Sequence, residues 1–113
     1  MRLKSGIWVA AYLRRAQVEG IAAVLRRRGA EEAGAIFIKV SRLDGNADLY
    51  APAPQSAFDE ARPSERAFTL ALAEKSEPDV ETYLARQIRF DPDLWIVEVE
   101  DRAGRHFLDH IVR

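Results

Sequence analysis

Residues 76–99 read SEPDVETYLARQIRFDPDLWIVEV, and this stretch decides the fold class. Ser76 with Asp79 three residues later approximates a capping box, and Pro78 suits the first turn of a helix. Val80, Leu84 and Ile88 recur at helical spacing with Tyr83 alongside, which makes one apolar stripe for burial. Glu77, Asp79 and Glu81 come early and Arg86 and Arg89 late, matching the helix dipole. Asp91-Pro92 ends the helix, because a residue before proline is pushed out of the helical region. Leu94 to Val99 is then almost wholly apolar, the pattern of a strand inside a sheet rather than at its edge. A helix feeding such a strand calls for a sheet with helices packed on it.

The residues upstream extend this picture. Ser5 is placed to cap a helix beginning near Gly6, with Val9, Tyr12, Leu13 and Ala16 on one face and Gly20 as its stop. Residues 7–13 alone read equally well as a strand. Ile21 to Arg28 reads as a strand, 29–34 as a turn, and Gly34 to Leu43 as a second strand with Ile36, Ile38 and Val40 on one face. Asp44-Gly45-Asn46 turns the chain into a third strand, Ala47 to Ala51, and the three together predict an antiparallel meander. Pro52, Pro54 and Pro63 punctuate a long irregular stretch with a candidate short helix between Ser56 and Ala61. Phe68, Leu70 and Leu72 then alternate as a fourth strand. Downstream, Asp101-Arg102-Ala103-Gly104 turns the chain, and the tail from Arg105 is expected to pair or pack as a short last element. The prediction is an α+β single domain over residues 1–113. It has a mainly antiparallel sheet of about five strands and two helices packed on it, in the order α-β-β-β-β-α-β.

Composition narrows the chemistry. The 113 residues are 48% hydrophobic and 31% charged, as in a globular domain large enough to fold without staples. There is no cysteine, which removes thiol nucleophiles, Cys-ligated metals and disulfides. No apolar run approaches the roughly 20 residues of a membrane-crossing helix. Ile7 to Leu13 runs straight into Arg14 and Arg15 without a clear cleavage site, so it reads as part of the fold, and the cytoplasm is the expected compartment. Seventeen basic against eighteen acidic side chains give a net charge of −1, so no global attraction to nucleic acid or anionic membrane is expected.

Four groups carry candidate function, each beside a plainer reading. Arg26, Arg27 and Arg28, with Arg14 and Arg15, form a candidate phosphate-binding patch to which Trp8 or Tyr12 could add stacking. The plainer reading is a solvated strand end paired with Glu31 and Glu32. His106 and His110 reach one metal only on a helix; on a strand they lie about 13 Å apart, so no metal is expected. Glu98 and Glu100, about 6.6 Å apart on one strand face, are placed for acid–base work beside Asp101, or simply for a polar outer face with Glu100 opposite Arg105. Asp59, Arg62 and Arg66 stand in the Pro-rich loop, where binding surfaces often lie. The candidate binding residues are therefore Arg26, Arg28, Asp59, Arg62, Arg66, Glu98 and Glu100, with no catalytic residue, metal or cofactor expected. Phosphate-loop, dinucleotide, nucleophile-elbow and zinc-protease motifs do not occur. Trp8 and Trp95 read as core aromatics.

The segments KSGIWVAAYLRRA (4–16), RRGAEEAGAIFIKVSRLDG (27–45) and RFDPDLWIVEVEDRAGRHFLD (89–109) resemble the alphaproteobacterial domain-of-unknown-function family number 1491 over nearly the whole chain. The resemblance implies a stand-alone bacterial cytosolic protein and transfers no site residue. Three functions remain in play. The first is a non-enzymatic interaction or accessory module, with a protein partner, or a second copy bound through a sheet edge or the exposed side of the meander. The second is a nucleic-acid binder using the arginines, and the third an enzyme of unrecognised class using Glu98 with His106.

Overall fold

The computed structural model describes residues 3–54 and 66–112. Its elements are α1 (Ser5–Val18), β1 (Ala22–Arg27), β2 (Ile36–Ser41), β3 (Asn46–Pro52), β4 (Phe68–Ser76), α2 (Glu77–Phe90) and β5 (Trp95–Glu100), the order the sequence predicts. The 7–13 stretch is helical.

The end signals of α2 act as read: the Ser76 hydroxyl accepts the Asp79 N–H at 3.2 Å, and Asp91 is extended before Pro92. Ser5 differs from expectation. It lies inside α1, fully buried, and its hydroxyl donates to the Gly34 carbonyl at 2.6 Å. The N–H groups of Ser5 and Gly6 donate instead to the carbonyls of Glu32 and Glu31, so the 29–34 turn caps the helix with backbone. At the other end Ile21 N–H reaches Ala16 O and Gly20 N–H reaches Gln17 O. This is a Schellman stop, with Gly20 at φ 73°.

The sheet order is β1-β5-β2-β3-β4. The predicted meander of the first three strands is thus half right. β2 and β3 form the hairpin, but β5 lies between β1 and β2, antiparallel to the first and parallel to the second. The physical reason is burial: β5 and β2 need cover on both faces and both edges, whereas β1, with alternating exposure, tolerates an edge.

Two cores result. Ile36, Ile38, Val40, Tyr50, Phe68, Trp95, Val97 and Val99 pack under Val9 and Tyr12 of α1 and under Leu108. Phe37, Leu49, Leu94 and Ile96 pack under Val80 and Leu84 of α2. Phe68, Leu70 and Leu72 do not share one face as their alternation predicts. Register slips at β4 place Leu70 beside Tyr50 and Leu72 beside Leu49, so Leu72 joins the α2 core. The second irregularity centres on Glu74 at φ 49°, whose N–H donates to buried Asp48 Oδ1 at 2.7 Å, while Arg42 holds Oδ2 at 2.8 Å. Changing Asp48 to Ala strands both donors. We expect a loss of about 1–3 kcal/mol, read as a lower urea midpoint at unchanged slope.

The tail also departs from a hairpin. Both edges of β5 are occupied, so after the Asp101–Gly104 turn the chain crosses to β4. There Phe68 N–H donates to His110 O, and Val112 N–H to Phe68 O.

Candidate functional site

Strand β2 carries one charged residue, Lys39, in IFIKVS, and its side chain is 4% exposed. Its neighbours explain how a buried ammonium is tolerated. Glu77 and Glu81, one turn apart on α2, sit at 2.5 and 2.6 Å from Nζ, and Glu98 of β5 at 3.6 Å. Arg26, the extra residue at a bulge in β1, donates from two nitrogens to Glu81 at 2.8 Å and reaches Glu98 at 2.9 Å. Ser41 donates to Glu77 at 2.6 Å. The cluster therefore ties α2 to three strands.

Its electrostatics are those of a tie. Burial is the largest influence on Lys39 and pulls its pKa down, but hydrogen bonds to Glu77 and Glu81 and the charge of Glu98 outweigh it and leave it raised. Hydrogen bonds from Arg26 come first in holding Glu81 down, to about 2, against burial and with help from Lys39. For Glu77 burial pushes up, but Lys39 and Ser41 together bring the net shift downward. A general acid or base near neutral pH needs the opposite tuning.

The predicted site residues scatter. Arg26 and Glu98 meet in this cluster. Arg28 lies 3.8 Å from Glu31, as the plainer reading holds, with its guanidinium 5.3 Å from the Trp95 ring centre. Glu32 pairs with Lys4 instead. Glu100 is exposed at the end of β5, and Arg105 binds Asp101 at 2.7 Å rather than Glu100, because the tail does not return along β5. Arg66 donates to the Leu3 carbonyl and to Ser5 Oγ. Asp59, Arg62 and the candidate helix at 56–61 lie outside the described residues.

The arginines do not form one patch, since Arg15 faces Asp109 while Arg26 belongs to the α2 side. Glu98 and His106 lie on opposite faces of the sheet, His106 against Tyr50 at 4.9 Å, so they share no site. His106 Nδ1 accepts the Leu108 N–H, and burial lowers its pKa. Among the described residues no group of three His, Asp or Glu is placed to hold a metal. Among the described residues no helix is long and apolar enough to cross a membrane. Lys39, Ser41, Glu77 and Glu81 escaped the sequence reading; a lone lysine in an apolar strand was the available signal.

The cluster stands beside an open sheet edge. Among the described residues nothing pairs with the outer side of β1, and Val24 at its centre is 58% exposed. Between this edge and α1 runs a groove of about 410 Å³ lined by Leu13, Gln17, Ile21, Ala23 and Leu25. The opposite edge, β4, is twice irregular and capped by residues 110–112.

Residues 3–109 match the family model described as protein of unknown function (DUF1491). The chain belongs to the DUF1491 family. A DUF1491 family protein from Caulobacter crescentus CB15, solved by crystallography, is 40% identical over the full length of both chains, with a TM-score of 0.79. The solution structure of protein Atu0922 from A. tumefaciens is also 40% identical, covering all of this chain and 98% of that one, with a TM-score of 0.82. No functionally curated protein matches the chain. The DUF1491 match spans β1, its groove and every member of the charged cluster.

Proposed function

We propose that this DUF1491 protein is a cytoplasmic, non-enzymatic interaction module that works as a homodimer through antiparallel pairing of β1 with β1 of a second copy. The observation that carries the reading is the contrast between its two sheet edges. β4 is blunted by two irregularities and the tail, devices that keep an edge from pairing, whereas β1 has a single bulge, at Arg26 near its end, no covering segment among the described residues, and an exposed valine at its centre.

The strand is also self-complementary. With Val24 on the two-fold axis, Arg26 of each copy falls opposite Ala22 of the other, so no like charges meet. Ala23 and Leu25 of each copy then face the apolar groove side. The cluster around Lys39 supports the same reading by holding Arg26, and with it the end of β1, in place.

Light scattering on a size-exclusion column at micromolar concentration tests this. Twice the chain mass is expected for the native protein and a single mass for Val24→Lys, whose edge charge opposes pairing. A native monomer at that concentration would falsify the reading.

A further inference from the structure

A cleft of about 210 Å³ lies between α1 and the C-terminal tail, on the sheet face away from the charged cluster. Its walls are Leu3, Trp8, Ala11 and Phe107, and Arg15 and Asp109 stand at its rim. We propose that this cleft binds a free α-amino acid with an apolar side chain. The proposal goes beyond the dimer reading and is independent of it.

The cleft is preformed. Trp8 stacks on Tyr12 at 5.2 Å, and the Tyr12 hydroxyl donates to His106 O at 2.7 Å. His106 Nδ1 accepts the Leu108 N–H at 2.8 Å, which pins the tail from its other side. Phe107 between them is held at φ 59°, a conformation rarely adopted by a bulky side chain and one that clusters at ligand sites. Arg105 lies 5.4 Å from its ring centre.

At the rim Arg15 NH2 donates to the Phe107 carbonyl, which fixes the guanidinium beside the cleft, while NH1 and the Asp109 carboxylate are paired only loosely. Arg15 NH1 is 3.4 Å from each Asp109 oxygen, longer than the roughly 2.7–2.9 Å of a strong charge-assisted hydrogen bond. Its contact with Glu19 is looser still, at 3.8 Å. Asp109 is 85% exposed. A ligand carboxylate improves on what Arg15 NH1 has while NH2 keeps the Phe107 carbonyl, a ligand ammonium does the same for Asp109, and the apolar side chain takes the space beside Trp8 and Phe107. The volume admits one such molecule and falls short of the roughly 300–1,000 Å³ of drug-sized pockets. A zwitterion suits a pair of opposite charges because either charge alone leaves one rim group unmatched.

The test is titration of the full chain with L-leucine and L-phenylalanine, followed by amide chemical shifts. Saturable shifts at Ala11, Arg15, Phe107 and Asp109 are expected at millimolar ligand. 3-Phenylpropanoate and 2-phenylethylamine, each lacking one charge, should bind about tenfold more weakly. Asp109→Asn, at an exposed position, should erase the advantage of phenylalanine over 3-phenylpropanoate. Ala11→Leu should abolish the shifts by filling the space while leaving the melting temperature unchanged. No saturable shift at tens of millimolar, equal affinity for the singly charged compounds, or undiminished binding in Ala11→Leu would each overturn the proposal. None of these readouts depends on whether the protein is a dimer.

Discussion

Replacing Lys39 by methionine lowers the unfolding free energy by about 1–3 kcal/mol at neutral pH, because it leaves the half-buried carboxylates of Glu77, Glu81 and Glu98 without the ammonium they share. That is a large share of the roughly 5–15 kcal/mol that holds a domain of this size together. Among the described residues Arg26 then remains for Glu81 and Glu98, and the Ser41 hydroxyl for Glu77. Adding Glu77→Gln and Glu81→Gln to Lys39→Met should recover most of the loss, since the cost lies in the unpaired charges.

The pH dependence has a definite sign. Glu81 is held at about 2 from a usual 4.5, and Glu77 is also lowered. A carboxylate depressed by folding stabilises above its unfolded value and loses that contribution as pH falls through its folded one. The native protein should therefore hold its melting temperature from pH 7 to about 5 and lose it between about 4.5 and 2. In Lys39→Met the carboxylates protonate more readily, so the gap to the native protein should narrow as acid is added. Urea titrations at pH 7 and pH 4 measure both. An unchanged gap would show that the lysine contributes packing rather than charge.

Gly29→Ala is the second large effect. An added Cβ would lie 2.1 Å from the Asp93 carbonyl oxygen and 2.6 Å from the Leu94 carbonyl carbon, both backbone atoms of the segment entering β5. Relief requires moving a junction in which Ala30 N–H donates to Asp93 O and the Trp95 indole donates to Ala30 O. The next two residues, Glu31 and Glu32, cap α1 with their carbonyls. We expect a loss of about 3 kcal/mol, read as a melting temperature roughly 10–15 °C lower. Gly20→Ala is the comparison. Its φ is 73° with open space around the position, so only about 1–2 kcal/mol is expected. Equal losses at the two positions would mean that the 29–34 turn is not packed against β5 as described.

How much of this could be read beforehand follows from the range of each signal. The helix α2 and the burial of β5 were readable because Ser76, Pro78, Pro92 and the run from Leu94 act within a few residues. The neighbour of β1 was not, since AAVLRR alternates in a way that fits any partner. Lys39 stood out as a charge in an apolar strand, yet its partners come from 38 or more positions away. Glu77 and Glu81 were counted as acids complementing a helix dipole, which they are, but Val80 and Leu84 beside them show which way that side of the helix points. Arg26 and Glu98 were both singled out, in separate groups, because only the β1–β5 register brings them together. The regular alternation of Phe68, Leu70 and Leu72 concealed a bulge, for which the local sequence gives no mark.

The insertion of β5 between β1 and β2 also sets an order in time. Arg26 meets Glu98 across 72 positions of chain. On the ribosome, β1 emerges before the other four described strands and pairs with none of them until β5 follows it out. The β2–β3 hairpin and its β4 partner can assemble meanwhile, with the side of β2 that awaits β5 uncovered. Completion of the sheet is therefore a late, long-range closure, slow compared with local pairing, and the interval before it is when this chain is most exposed to association with its neighbours.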